Sequence, residues 1–311
     1  MPKRAYHFSD DLLPGSQLTT GSEDHLVKLM KDTLQPEIAR ATSAHYLGSL
    51  VTQSSADALI GALNDKKALV RYHVLRALEN FPADVWRDNA HRALSDKVRA
   101  VRIAAADLYH TVSQEAVPPS ARGAFGSADA ENKRYLQSQT DFAVGNVMLA
   151  DYELQGGDRV NAIAHYVRGL SKDSLMNYAR FNLSAAYNGI GKNAEAMRVL
   201  ENAIKIDPQN DRAFYSLGLL HYELGNNLKA EEAFRKGVVL VSANTGLYYN
   251  YGLLLQQLGK AREAENILLK GYALDPRAAN INYALTFLYL NQNNPKKALL
   301  HAQVQYSCRW C

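Results

Sequence analysis

Cysteine is nearly absent. The only two in 311 residues stand in the terminal tetrapeptide Cys308-Arg-Trp-Cys311, so no disulfide framework holds the chain together. Their Cys-x-x-Cys spacing could serve as a dithiol or as half of a zinc site. No second Cys or His pair stands at metal-ligand spacing, no βαβ pattern surrounds the motif and no histidine follows it. An ordinary or artefactual tail is therefore expected there. Long apolar runs are missing too: none reaches the ~18 residues of a membrane-spanning helix. Met1-Pro-Lys-Arg4 is not followed by the apolar stretch of a secretory signal, so the sequence as it stands reads as cytoplasmic, with no membrane insertion. Charge of one sign is also scarce. With 35 basic and 31 acidic side chains the formal net charge is +4, and no dense Lys/Arg patch interleaves with aromatics. No nucleic-acid partner is expected.

Chemistry is equally sparse. The nine histidines show no His-Glu-x-x-His spacing, and His45 aligns with Arg76 and Asp107, which marks a variable position. No Gly-x-Ser-x-Gly elbow or cysteine–histidine nucleophile pair occurs. Gly189-Ile-Gly191-Lys192 resembles a phosphate loop, but Ala186 stands where that loop needs glycine. Asn182-Leu-Ser184 is a glycosylation sequon inside an expected helix. The expectation is no catalytic residue, no metal and no cofactor.

The chain is rich in periodicity instead. Ala162, Ala196, Ala230, Ala264 and Ala298 stand 34 residues apart. Thirteen positions before them lie Leu149, Leu183, Leu217, Tyr251 and Leu285. Five before lie Gly157, Gly191, Gly225, Gly259 and Asn293, and four after lie Tyr166, Leu200, Phe234, Leu268 and Ala302. Such a period suits a helix–turn–helix unit that cannot bury its apolar face alone and must stack on neighbours. In the unit 211–244, Phe214, Leu217, Gly218 and His221 share one helical face, and Gly225-Asn226-Asn227 ends that helix. Ala230, Phe234 and Gly237 mark the stripe of a second helix, and the small residues let the two approach closely. Pro208 and Pro276 close two of the units, since proline cannot continue a helix interior. With 47% apolar residues, two arrays with continuous cores are expected.

These columns resemble the tetratricopeptide repeat (TPR), with repeats at 143–176, 177–210, 211–244, 245–278 and 279–311. The third departs from the family in carrying Ser242 where proline is usual, and the fifth in Asn293, Ala302 and Gln305. In that family positions 2, 5, 9 and 12 of each first helix line a concave groove. The resemblance implies such a groove from Tyr178, Phe181, Asn188, Arg212, Tyr215, Leu219, Tyr222, Tyr249, Leu253, Gln256, Tyr283, Phe287 and Leu290. Aromatics of this kind suit an extended peptide or a partner helix. Phe181, Tyr215 and Tyr249 stand where a groove that clamps a terminal carboxylate would place lysine, which disfavours that specialisation. Replacing Tyr215 and Tyr249 by alanine is expected to abolish partner capture with melting nearly unchanged. The fifth repeat stops at Trp310-Cys311 without a polar capping helix, so a disrupted end is expected there, with self-association through that end as the alternative.

The N-terminal part repeats at a different period. Asp65-Lys-Lys-Ala-Leu-Val-Arg71 recurs 31 residues later as Asp96-Lys-Val-Arg-Ala-Val-Arg102, and Pro36-Glu-Ile-Ala-Arg40 keeps the same step. Each arginine is expected to open a helix, over 40–50, 71–80 and 102–112, with partner helices near 23–34, 54–64 and 84–94. The pattern resembles short HEAT repeats, which implies a structural role for Arg40, Arg71 and Arg102 in linking adjacent units. The expected division is an extension at 1–22, HEAT-like repeats at 23–117, a linker and covering helix at 118–142, and the TPR array at 143–311. Pro118-Pro119 and Gly123 to Ser127 mark the linker, and the covering helix is expected near 128–139.

The order of segments carries a further resemblance. Tyr6-His-Phe-Ser-Asp-Asp-Leu12, Gln35 to Thr42, Val98 to Ile103, the proline-rich linker and Tyr248-Tyr-Asn-Tyr-Gly252 resemble the C-terminal HEAT-plus-TPR region of bacterial multihaem c-type cytochromes. The Cys-x-x-Cys-His motifs of that family are absent. The resemblance implies a non-haem scaffold, periplasmic when joined to an exported cytochrome. The expected fold is thus an all-α double α-solenoid, and the expected function a non-catalytic scaffold for a protein or peptide partner. The alternative is an accessory region of a haem redox enzyme.

Overall fold

The computed structural model describes residues 6–19, 21–112, 114–240 and 243–307, and every regular element among them is helical. The fold is all-α, of the α-solenoid class, in two compact units, Met1–Gly157 and Asp158–Cys311. The division falls between the two helices of the first expected TPR and not at the expected linker.

Unit 1 contains α1 (Ser9–Ser16), α2 (Ser22–Lys31), α3 (Glu37–Leu47), α4 (Gln53–Ala62), α5 (Ala68–Leu78), α6 (Ala83–Ala90), α7 (Arg99–His110), α8 (Arg122–Ser138) and α9 (Ala143–Gln155). The starts of α3, α5 and α7 keep the 31-residue step, and α3 packs on α5 and α5 on α7. Each begins three residues before the arginine expected to open it. The reason is local: the Asp65 and Asp96 carboxylates accept from the N–H of Lys67 and Val98 at 2.8 Å, closing each turn just ahead of the helix.

The arginines then reach forward. The buried Arg40 guanidinium meets the Asp65 carboxylate, and its Nε donates to the Met30 carbonyl at 2.9 Å. Arg71 donates from Nε and Nη2 to the Asp96 carboxylate at 2.7 and 2.8 Å, and from Nη1 to the Asp65 carbonyl at 2.7 Å. Arg102 repeats the motif on the Asp96 carbonyl at 2.8 Å, but its carboxylate partner is Glu131 of α8, at 2.9 Å for both bonds. So α8 supplies the last rung of this stack and packs on both α7 and α9. It starts at Arg122, inside the expected linker, because Gly123 and Gly126 face open space and Ala128, Asn132 and Leu136 supply a buried stripe. The N-terminal extension is also integral. Buried Asp11 of α1 accepts from Tyr6 Oη at 2.5 Å and pairs with His25 at 2.7 Å and Lys28 at 2.9 Å on α2.

Unit 2 alternates first and second helices: α10 (Arg159–Lys172), α11 (Asn177–Asn188), α12 (Asn193–Ile206), α13 (Asp211–Glu223), α14 (Asn227–Val239), α15 (Thr245–Gln257), α16 (Ala261–Leu274), α17 (Ala279–Asn291) and α18 (Pro295–Ser307). The first helices α11, α13, α15 and α17 start 34 residues apart, and so do the second helices from α10 to α18. The alanine column is buried throughout. The turn column has positive φ, at 75° for Gly191, 74° for Gly225 and 75° for Gly259. Asn293 keeps that geometry at 54°, as asparagine tolerates the left-handed region, so the fifth repeat departs in sequence and not in turn. A Cβ on Gly218 would lie 2.5 Å from the Phe234 ring, and one on Gly252 would lie 2.5 Å from Leu268 Cδ2. Among the described residues the buried apolar side chains of this unit include a cluster around Phe181, Leu200 and Leu220 and a larger one from Ala230 to Ala298, and α13 contributes to both. The Cys308–Cys311 tail lies outside the described residues.

Three outcomes follow from this packing. Gly218→Leu should cost roughly 1–3 kcal/mol, read as a lower urea midpoint at unchanged slope. In unit 1, Asp65→Ala leaves the Arg40 guanidinium buried without its carboxylate and should cost about 3–5 kcal/mol. Burial pushes Asp65 and Asp96 up, but the arginine and backbone N–H bonds outweigh it and hold both below the ordinary carboxylate range. Their contribution is therefore complete above about pH 4 and lost as pH falls through the folded values. Asp65→Asn with Asp96→Asn should flatten the acid arm of the melting curve below that pH, measured by circular dichroism.

Candidate functional site

The expected groove positions lie on α11, α13, α15 and α17, but the structure divides them into two classes. Tyr178, Arg212, Tyr222, Tyr283, Phe287 and Leu290 are exposed. On α17 the rings of Tyr283 and Phe287 are 4.6 Å apart, and with Leu290 they form one stripe at helical spacing, with exposures of 48%, 47% and 50%. Phe181, by contrast, is buried at 9% exposure, and the Arg212 guanidinium lies over its ring at 4.7 Å. Tyr215, Leu219, Tyr249 and Leu253 are half-buried and pack against the larger core cluster of unit 2. Asn188 and Gln256 are half-buried as well.

Hydrogen bonds tie neighbouring first helices at a common offset of 35. Asn188 Nδ2 donates to Glu223 Oε2 at 2.9 Å, and Tyr222 Oη donates to Gln257 Oε1 at 3.1 Å. Asn250 Nδ2 donates to Tyr215 Oη at 2.9 Å. Burial raises the Tyr215 phenol and the Asn250 bond opposes it. The hydroxyl is thus committed to the scaffold, and replacing Tyr215 is not the neutral change that the sequence leads one to expect. The partners Glu223, Gln257 and Asn250 stand one position beyond the expected sets, a signal visible in the 34-residue alignment once a one-residue lead is allowed. The Gln256 amide nitrogen is buried without a hydrogen-bond partner, which leaves one donor unmatched on this helix.

Unit 1 holds a separate cavity of about 370 Å³ whose lining includes Tyr72, Arg76, Glu79, Asp107 and Asn132. Arg76 Nη1 sits 2.6 Å from Glu79 and 2.5 Å from Asp107. Burial pushes Glu79 up to about 7 against the pull of Arg76. The Arg76 guanidinium is thus shared between the two carboxylates. Among the described residues no group of three or more His, Cys, Asp or Glu side chains could hold a metal ion, and no helix is long and apolar enough to cross a membrane.

Comparison with solved structures finds similar helical repeats. A crystal structure of MamA is 20% identical with a TM-score of 0.45, covering 51% of this chain and 93% of that one. MamA from Desulfovibrio magneticus RS-1, from residue 41 to its end, is 18% identical with a TM-score of 0.46, covering 54% and 97%. YrrB, described as a TPR protein with an unusual peptide-binding site, is 22% identical with a TM-score of 0.43, covering 57% and 91%. No curated protein matches. Of the family models, one described as a TPR repeat matches residues 185–225 and one described as a tetratricopeptide repeat matches 245–277. Both matches lie outside the segment expected to be HEAT-like. The chain therefore carries tetratricopeptide repeats across α12–α13 and α15–α16.

Proposed function

We propose that unit 2 is a non-catalytic interaction scaffold that takes a peptide or helix of a partner protein across the faces of α11, α13, α15 and α17. The observation that carries this reading is the exposed stripe of Tyr283, Phe287 and Leu290. Single exposed apolar side chains are ordinary, but three contiguous ones on a rigid helix form a patch of the kind that marks an interaction site. Two of them are aromatic anchors, which give large contact area for little lost rotamer freedom. Exposed Tyr178 and Tyr222 extend the same register, while Phe181, Tyr215 and Tyr249 hold the helices that present it. With aromatic side chains where a terminal-carboxylate clamp needs lysine, the recognised element is an internal segment of the partner. The alternative, an accessory scaffold of a multihaem c-type cytochrome, rests on the order of segments, and no observation in either unit favours it over this reading.

The test separates presentation from support. Peptides would be selected on the full chain from a random display library, and their affinity measured by fluorescence polarisation. Tyr283→Ala with Phe287→Ala should weaken binding by about 30-fold or more, the loss expected of central anchors, with stability within about 0.5 kcal/mol. A folded double variant that binds undiminished would remove this face. Phe181→Ala should instead cost about 3–5 kcal/mol of stability, as a buried aromatic, seen as a fall in the thermal midpoint.

A further inference from the structure

The opposite face of α13 is built differently from its counterparts one repeat on. Position 4 of the first helix is Phe214 in α13 and Tyr248 in α15, and position 11 is His221 and Leu255. In α15 both side chains are core members, with Tyr248 4% and Leu255 0% exposed. In α13 Phe214 is only half-buried, and the eleventh position holds a polar imidazole that is 8% exposed. A crevice of about 740 Å³ lies on this face, floored by α13 between α12 and α14. At 100° per residue, Phe214, Leu217 and His221 point roughly 150° away from Arg212, Tyr215, Leu219 and Tyr222. The crevice is thus a separate surface from the aromatic one.

Its chemistry is specific. Met197, Ile204, Leu217 and Ala233 line an apolar bed. Four cations, Arg198, Lys205, Lys229 and Lys236, face it against two carboxylates, Glu201 and Glu232. Lys236 pairs with Glu232 at 2.8 Å, whereas Arg198, Lys205 and Lys229 form no ion pair among the described residues. His221 Nδ1 is buried without a hydrogen-bond partner. Burial first, and then Lys229, hold the imidazole below its ordinary pKa, while Glu201 and Glu232 pull the other way. A neutral buried imidazole with an unmatched nitrogen is a polar group left for a ligand to satisfy. The excess of unpaired cations selects against a basic or neutral occupant.

We propose that the crevice between α12 and α14 is a second docking site, for an acidic segment of a partner protein whose apolar side chains fill the bed and whose carboxylates meet Arg198, Lys205 and Lys229. A crevice rather than a convex basic patch favours a peptide over an anionic membrane surface.

The probe is a fluorescein-labelled 14-residue peptide with leucines at helical spacing and glutamates elsewhere, titrated with the full chain. The same peptide with glutamine for glutamate should bind at least about tenfold more weakly, and binding should fall as salt rises. Lys205→Glu with Lys229→Glu should weaken the acidic peptide by at least about tenfold, while Tyr283→Ala with Phe287→Ala leaves it unchanged, which keeps this site distinct from the aromatic face. His221 imidazole resonances should shift on titration. Lys270→Glu with Lys296→Glu, outside the crevice, is the control. The proposal is overturned by equal affinity for the two peptides, by no binding of the acidic one, or by equal losses from the crevice and control reversals. Capture by phosphatidylserine vesicles that competes with the peptide would overturn it in favour of a membrane.

Discussion

The approach of one helix to the next, closer than an ordinary side chain permits, is what the C-terminal unit depends on. Gly218 faces the Phe234 ring and Gly252 faces Leu268, each at a distance that excludes a Cβ. The left-handed turn at Gly191, Gly225, Gly259 and Asn293 returns the chain along that contact. A pair of helices buries little by itself, so the same small residues that join a pair also leave the outer stripes to be covered by neighbours. Unit 1 solves the same problem electrostatically. Its arginines bond forward to a carboxylate and back to a carbonyl, so every buried guanidinium is satisfied within the array.

The proposed docking rests on which stripes the stacking leaves uncovered. Along α13 one face carries Tyr215, bound to Asn250, beside exposed Tyr222, and the other carries Phe214 and His221 over the crevice. The two faces differ in what they ask of an occupant. One offers aromatic area with few charges, and the other an apolar bed under unpaired cations.

Much of the fold was legible in the sequence because a period constrains many positions at once. The helix starts at 177, 211, 245 and 279 keep the 34-residue step of the alanine column. The arginine-centred step of 31 likewise located three helices, though three residues late, since the Asp65 and Asp96 carboxylates close the turns before the arginines. The site was less legible. Helical position gives the direction of a side chain and not what covers it: Phe181 points as Tyr283 does, yet lies buried under Arg212. Composition also misled at Gly123 and Gly126, which read as a linker but sit on the open side of α8. The histidine at position 221 was read as part of an apolar face, whereas its buried Nδ1 has no hydrogen-bond partner.

The arginine ladder has a consequence for how such an array could change length. Asp65 gives its carboxylate to Arg40 and its carbonyl to Arg71, and Asp96 gives the same two groups to Arg71 and Arg102. The joints at Asp65 and Asp96 therefore use the same two groups, a carboxylate for the arginine of the unit before and a carbonyl for the arginine of the unit after. Excision of one 31-residue segment would bring Arg40 to the carboxylate that Arg71 now holds. Insertion would add a rung in the same way. The ladder is thus modular across α3, α5 and α7, ending at the Met30 carbonyl on one side and where Glu131 replaces the aspartate on the other.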